Sequence, residues 1–441
     1  MIRSFLTVVW ATLLVAACVA PAATSAPSPS FPTSSPPPSA SATPEPSASA
    51  LTEWRLVTIP PPVPGRWPTP LAVAAGPDRL VAVGGPVHAE GVFEGPLYGT
   101  IWTSTDGLAW TAIRLDPVLE VGAGGSTSGP QPGFSDVAYG PSGFVVVGHA
   151  MTGQGIRVGI WRSTTGEAWE RIDVPDGVFD GGRTTAITAV GPGYVIVGGW
   201  LDRDAPSDGA APPRAAVWTS SDGAAWARVR DQNGFAVGGY IDTGESPDAG
   251  GMLDVTATQK GLVAVGQTCK AVSLMEKPLG LGSACRPLLW TSTDAMIWTR
   301  IDPDVAVHPG NVSSIASSSD HLVAVGGAWP RSPARYTLRS SDGTAWRWRE
   351  EARVPGFEGV VGVPGAFLAM THEAGQIGLS TSPDGKTWTE VKGVPEMPAG
   401  PTVRDSDIVA LDDRVVIVGW REGGEDPGKA GFAIVGPLES E

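Results

Sequence analysis

One short apolar run recurs along this chain, and it limits the possible folds more than any other feature. It appears as Leu80-Val-Ala-Val-Gly84, Phe144-Val-Val-Val-Gly148, Tyr194-Val-Ile-Val-Gly198, Leu262-Val-Ala-Val-Gly266, Leu322-Val-Ala-Val-Gly326, Phe367-Leu-Ala-Met370 and Val415-Val-Ile-Val-Gly419. Apolar stretches of this length, bounded by Gly, read as strands covered on both faces. Each follows a short strand after a loop, such as Ser135-Asp-Val-Ala-Tyr139. Six are followed by a second signature: Trp102 to Trp110, Trp161 to Trp169, Trp218 to Trp226, Trp290 to Trp298, Leu338 to Trp346 and Ser380 to Trp388. That signature centres on Asp-Gly-x-x-Trp and reads as a tight hairpin between a third and a fourth strand. A four-stranded unit repeated every roughly 40 to 70 residues is a propeller blade.

The seventh unit stops after its third strand, Gly431-Phe-Ala-Ile-Val435. The missing fourth strand has a counterpart at the other end of the domain. Thr52-Glu-Trp-Arg-Leu-Val57 matches Ala168-Trp-Glu-Arg-Ile-Asp173 in pattern. The expected fold is therefore all-β: a seven-bladed propeller of four-stranded blades over residues 51–441, closed by the N-terminal strand completing the last blade. Closure removes two open sheet edges that would otherwise invite aggregation.

The residues before the repeat read as targeting and tether. Arg3 supplies a positive start, and Phe5 to Val15 is an apolar run too short for a membrane span. Val15-Ala-Ala-Cys18 resembles a bacterial lipobox. That resemblance implies a signal peptide over residues 1–17 and a lipidated Cys18 anchoring the chain outside the cytoplasm. An ordinary secretory peptide cut near Ala17 or Ala20 is the competing reading. Residues 18–50 are almost entirely Ala, Ser, Pro and Thr, a composition that buries no core and forms an extended tether. At roughly 3 Å per residue it reaches about 100 Å. Cys269 and Cys285 are the other two cysteines, and in an oxidising compartment they are expected to form a disulfide; two free buried thiols are the alternative.

The Ser-x-Asp-Gly-x-x-Trp hairpins resemble the Asp-box, or BNR repeat, of the sialidase superfamily of propellers. Here Asp and Gly are adjacent, Thr165 replaces Asp in the second copy and Ala295 replaces Gly in the fourth. The chemistry of the motif is structural. Asp accepts backbone N–H groups two or so residues on, Gly takes a positive φ, and Trp wedges between blades. One Asp per blade also cannot converge on a single ligand.

Binding is expected on the opposite face, where connections are long and irregular: 86–99, 116–133, 201–214, 231–251 and 267–287. Two sets of candidate ligand-binding residues fall there. Asp136, Asp254, Glu358 and Asp407 begin innermost strands and would ring the channel mouth. His149, Trp200, Trp329, His372 and Trp420 follow the second strands. Capping of local backbone by the carboxylates, and inter-blade packing of the aromatics, are the structural alternatives. Arg183, Arg203, Arg331, Arg404 and Arg421 lie in nearby loops and suit anionic groups.

The formal net charge of −15 and the lack of a basic stripe argue against nucleic acid. The expected function is non-catalytic binding of a glycan or envelope protein by a monomeric, membrane-anchored propeller that needs no metal or other cofactor. A sialidase-like or other glycoside hydrolase is the alternative. Family sialidases use an arginine triad, a Tyr–Glu nucleophile pair and an Arg-Ile-Pro motif. The nearest text here is Arg55-Leu-Val-Thr-Ile-Pro60, which departs from that motif. Tyr98 near Glu90 and Glu94, and Tyr240 near Glu245, are the available pairs.

Overall fold

The computed structural model describes residues 51–441 apart from 65–66, 89–95, 124–131, 153–154, 201–213, 238–249, 272–282, 304–309, 320, 329–333, 399–401, 423–428 and 439–441. Cys18, the tether, Trp329, Glu90, Glu94, Arg203, Tyr240, Glu245 and Arg331 lie outside the described residues. No described helix is long and apolar enough to cross a membrane.

The chain forms seven antiparallel sheets. Strand β1 (Arg55–Thr58) stands apart in sequence. Blade 1 is β2 (Pro70–Ala75), β3 (Leu80–His88), β4 (Pro96–Ser104) and β5 (Thr111–Ala112), with β6 (Glu120–Ala123) added to β4. Blade 2 is β7 (Gly133–Gly140), β8 (Gly143–Thr152), β9 (Gly155–Ser163) and β10 (Glu170–Ile172). Blade 3 is β11 (Gly182–Val190), β12 (Gly193–Trp200), β13 (Arg214–Ser220) and β14 (Ala227–Arg228). Blade 4 is β15 (Gly250–Thr258), β16 (Gly261–Ala271), β17 (Ser283–Ser292) and β18 (Thr299–Ile301). Blade 5 is β19 (Gly310–Ser318), β20 (His321–Ala328), β21 (Ala334–Ser340) and β22 (Arg347–Ala352). Blade 6 is β23 (Phe357–Val363), β24 (Ala366–Glu373), β25 (Gln376–Ser382) and β26 (Thr389–Glu390). Blade 7 is β27 (Thr402–Ala410), β28 (Arg414–Glu422) and β29 (Lys429–Pro437), and β1 is its outer strand.

The ring closes as the sequence pattern implies. β1 pairs antiparallel with β29, Arg55 opposite Val435 through Thr58 opposite Phe432. Each first strand touches the first strands of both neighbouring blades, and β2 meets β27. The apolar core is divided among the seven interfaces, one buried cluster to each. The apolar runs are therefore covered on both faces, which is why they do not alternate.

Four tryptophans clasp neighbouring blades. Trp102, Trp161, Trp218 and Trp290 are fully buried on the third strands of blades 1 to 4. Their indole N–H groups donate to Pro60 O, Val118 O, Val178 O and Gly234 O, at 2.8, 2.8, 2.7 and 2.7 Å. Each acceptor lies in the segment entering that blade from the one before. Blades 5, 6 and 7 carry Leu338, Ser380 and Ile434 at this register position and make no such bond.

The hairpins behave as local devices. Asp106 Oδ1 accepts from Leu108 N and Ala109 N at 2.8 and 3.0 Å, and Ser104 Oγ accepts from Gly107 N at 2.8 Å. Asp222, Asp294 and Asp342 repeat the pattern. Thr165, lacking a carboxylate, accepts only Glu167 N, at 3.3 Å. The position after Asp has φ between +68° and +80° where it is Gly. Ala295 is held at φ +62° in the same place. A left-handed Ala costs about 1–2 kcal/mol, partly offset in a Gly variant by unfolded-chain entropy. Ala295→Gly is therefore expected to raise the unfolding free energy by about 0.5–1 kcal/mol, read from urea midpoints. No change or a loss would contradict this.

Candidate functional site

Geometry at the face opposite the hairpins follows from one recurring irregularity. In every blade the pairing of the first two strands carries a register shift. The shift pushes a first-strand carbonyl against the second strand where the repeat has its glycine. A Cβ on Gly84, Gly148, Gly198 or Gly266 would lie only 2.2, 2.3, 2.0 or 1.9 Å from the carbonyl oxygen of Thr69, Gly133, Arg183 or Gly251. At these four positions no other residue fits, because bulged backbone occupies the side-chain volume, whereas blade 6 carries Thr371 at the same place in its repeat.

One step nearer the mouth, the two strands alternate a glycine with a side chain. Gly133 faces His149, Gly199 faces Arg183, Gly251 faces Gln267 and Gly327 faces Asn311. Thr69 lies against Gly85, and Gly356 is one step beyond the Phe357–Thr371 pair, in line with His372. Only blade 7 has two side chains, Asp405 opposite Trp420, joined by a 3.1 Å bond from the indole N–H to Asp405 Oδ2. Blades 2, 4, 6 and 7 thus present His149, Gln267, His372 and Trp420 from equivalent second-strand positions. Residue type alone passes over Thr69, Gln267, Asn311 and Asp405. The reciprocal glycine marks the first three, and nothing in the local sequence marks Asp405.

Deeper in, three of the four candidate carboxylates join blades. Asp136 Oδ2 accepts from Ile187 N of blade 3 at 2.7 Å, Asp254 Oδ2 from Ile315 N of blade 5 at 2.9 Å, and Asp407 Oδ2 from Val73 N of blade 1 at 2.8 Å. The other oxygen of each accepts from the following residue in its own strand. Ser314 spans blades 5 and 6 in the same way, through Val360 N at 3.1 Å. Burial raises the carboxyls of Asp254 and Asp407 to about 6. Burial, and then the charge of Asp407, pushes Asp136 well above the carboxylate range. The three therefore sense one another around the inner rim. Glu358 is apart from them: it sits on a bulge at the surface, and partial desolvation, then the charge of Asp405, raises its carboxyl. No described cluster of His, Cys, Asp or Glu has the arrangement of a metal site.

Among the aromatic and imidazole candidates, His149 and Trp200 fall in the cleft between blades 2 and 3, and His372 in that between blades 6 and 7. Val145 and Val147 pack between blades 2 and 3, so strand alternation puts His149 in that cleft. Its Nε2 is buried and has no hydrogen-bond partner among the described residues, like Thr184 Oγ1 across the cleft. Burial, and then the charge of Arg183, lowers His149 to about 4. His372 shares a 2.6 Å hydrogen bond with Ser406 Oγ between blades 6 and 7, and burial lowers it to about 4. Arg421 has buried Nε and Nη1 atoms without described partners. Trp200 is engaged: its N–H donates to Asp180 O at 2.8 Å, and Arg228 lies 4.6 Å from its ring centre.

These shifts set opposing pH dependences. A raised Asp binds its proton more tightly when folded, so its contribution is full below pH 3.8 and is lost as pH rises through about 6. A lowered His contributes above pH 6.5 and loses this as pH falls through about 4. In Asp254→Asn only the first effect is reduced. The parent should gain stability relative to this variant between pH 6 and 4, at up to about 1.4 kcal/mol per pH unit. Parallel urea titrations at pH 4.5, 5.5 and 7 measure it, and a pH-independent difference would refute it.

Grooves among the described residues include one beside blade 2 and one between blades 4 and 5. One, about 620 Å³, lies beside β9 and β10 and is bordered by Arg157, Val158, Gly159, Ile172, Val174 and Phe179. The other, about 850 Å³, lies on the hairpin side between blades 4 and 5, lined in part by Lys260, Ile297, His321 and Asp342.

Taken with its ring of clasps, this geometry defines a closed seven-bladed propeller with a polar, partly unsatisfied mouth. No family model matches the sequence, and no curated protein matches it. Solved structures share the fold. A polysaccharide lyase, Uly1, superposes with TM-score 0.53 at 9% identity, over 86% of this chain and 94% of that one. Ycf48 bound to a D1 peptide gives 0.49 at 14% identity, over 89% and 99%. Trypanosoma rangeli sialidase with the inhibitor DANA gives 0.40 at 12% identity, over 84% of this chain but 55% of that one. The likeness is one of fold, shared by binding and enzymatic proteins alike.

Proposed function

We propose that the chain is an exported propeller, lipid-anchored through Cys18, that binds a glycan or an envelope protein at the mouth opposite the hairpins without turning it over. The observation that carries this reading is the reciprocal glycine pattern. Each of the blades 1 to 6 gives up one side chain at the mouth so that its partner strand can present another. Packing alone does not require polar residues there, and buried His149 Nε2 and Gln267 Oε1 keep unused hydrogen-bonding capacity. The hairpin carboxylates, by contrast, are consumed by their own turns.

The test is capture by the soluble domain, residues 51–441, on glycan and envelope-protein arrays. A specific ligand should bind at least tenfold more weakly to His149→Ala and Gln267→Gly, while Asp222→Ala in a hairpin leaves binding unchanged. Equal binding by all four proteins would overturn the location. Turnover of a fluorogenic sialoside, abolished by Tyr98→Phe or Tyr240→Phe, would overturn the non-catalytic reading in favour of a sialidase-like hydrolase. Metabolic labelling with a fatty acid, lost in Cys18→Ala, tests the anchor. The disulfide belongs to the same extracytoplasmic reading. Cys269 and Cys285 stand directly opposite in the β16–β17 register, which favours a bond between them. A two-dalton mass increase on reduction of the purified domain is the expected result.

A further inference from the structure

The outer edge of blade 2 is only half covered. β10 pairs with β9 at Ile160, Trp161 and Arg162 and goes no further. Backbone groups alternate sides along a strand. The ladder from β10 uses the outward groups of Ile160 and Arg162, so those of Val158 point outward as well. Among the described residues nothing bonds to them. Beside this bare stretch lies the 620 Å³ groove, with Ile172, Val174 and Phe179 as its apolar wall. Charges of both signs rim it: Arg157 and Arg171, and Asp173, Asp176 and Asp180. Arg157 and Asp180 form a 2.6 Å ion pair at its border.

The fold itself shows what such an edge accepts. In blade 1 the outer strand β5 is shorter still, pairing only with Trp102 and Thr103. There the uncovered half of β4 is taken by β6, which pairs antiparallel from Pro96 opposite Ala123 to Tyr98 opposite Glu120. Aligned on Trp102 and Trp161, Leu97 and Tyr98 correspond to Ile156 and Arg157. Blade 5 covers its edge with the long β22, which reaches Ala334, and blade 3 with a bridge from Ala236 to Arg214. Among the described residues, blade 2 has the same edge without a covering strand of its own.

We infer that this half-edge of β9 is a docking strand for an extended peptide of a partner protein, which adds antiparallel to blade 2 as β6 adds to blade 1. Main-chain hydrogen bonds to the outward backbone groups of Ile156 and Val158 supply affinity, and one apolar side chain of the peptide faces the Ile172–Val174–Phe179 wall. β6 has four residues, which sets the length of the core segment. The site is distinct from the mouth, so it stands or falls separately from the binding reading above.

Val158→Pro is the discriminating variant. Its lost N–H points away from β8, so the blade ladder keeps all its bonds, and proline is tolerated at such edge positions. Random dodecapeptides displayed on phage would be selected against the domain of residues 51–441. Enriched peptides would then be synthesised and measured by fluorescence anisotropy. The expected result is binding at least tenfold weaker to Val158→Pro, unchanged by Gln267→Gly in blade 4. The same peptides, N-methylated at alternate amides, should lose binding at every second position. The methylation readout does not depend on the variant folding. Failure to enrich any peptide would overturn the proposal, as would binding indifferent to both Val158→Pro and methylation. Binding lost in Gln267→Gly would assign those peptides to the mouth instead and also overturn it. A dimer of the domain abolished by Val158→Pro would identify a second copy as the occupant, with the same consequence.

Discussion

Removing residues 51–59 is expected to lower the unfolding free energy of the domain by about 5–8 kcal/mol. Those residues supply the whole of β1 and the fully buried Ile59, whose N–H donates to Gly431 O at 3.1 Å. Trp54, Leu56, Val57 and Leu51 pack partly buried against the clusters on either side of blade 7. A buried large apolar side chain contributes about 1.5–3 kcal/mol, and the half-buried ones less. Two further effects add to the loss. β29 becomes an open edge, a template for pairing between chains. Pro60, no longer anchored, ceases to be a fixed acceptor for Trp102. Truncated protein should unfold at lower urea and aggregate with concentration, and a synthetic peptide of residues 51–60 should restore part of the difference. An unchanged urea midpoint would mean that the ring does not depend on its closing strand.

The second large effect concerns the inter-blade clasps. Trp218→Ala is expected to cost about 3–5 kcal/mol, the range for truncating a fully buried aromatic residue. Trp218 stacks on Phe179 with ring centres 5.0 Å apart and belongs to the blade 2–3 cluster. Little can collapse into the space, because both neighbours are rigid sheets. Trp218→Phe separates the two contributions. It keeps most of the apolar contact but leaves Val178 O without its donor, at a cost of about 1–3 kcal/mol. Leu338→Ala in blade 5 should fall toward the lower end of about 2–5 kcal/mol, since no clasping hydrogen bond is lost with it. Urea unfolding of the three variants gives the order. Equal costs for Trp218→Ala and Trp218→Phe would show that the hydrogen bond, and not the packing, dominates.

Much of the architecture was legible from local pattern. The Val-x-Val-Gly runs, the Asp-Gly-x-x-Trp hairpins and the truncated seventh unit are all short-range features, and they led to the blade count and to the closing strand. The hairpin Asp residues behave as their position in the turn implies, since donor and acceptor are two or three residues apart. The candidate site was legible only in part. Asp136, Asp254 and Asp407 were picked out as first-strand carboxylates. That each accepts an N–H from the next blade, some 51 to 334 positions away in the chain, was not readable from their surroundings in sequence. Glu358 was grouped with them, yet it stands one residue earlier in its strand, at the bulged position that Ser135 holds in blade 2. In a strand of period two, one residue decides which face a side chain takes.

What the sequence determined alone, then, was the repeat: strands covered on both faces, turns built within themselves, and a seventh blade that needs β1. These follow from periodicity and turn chemistry, which act over a few residues. Tertiary structure decided everything that depends on two blades at once. It set the direction of the Trp clasps, the inner rim of Asp–backbone bonds, the alternation of Gly with His149, Arg183, Gln267 and His372, and the bare half of β9. The physical reason is the bulge in each blade. It presses a first-strand carbonyl against the second strand and leaves no room for a Cβ at Gly84, Gly148, Gly198 and Gly266, a contact that exists only once the two strands have paired.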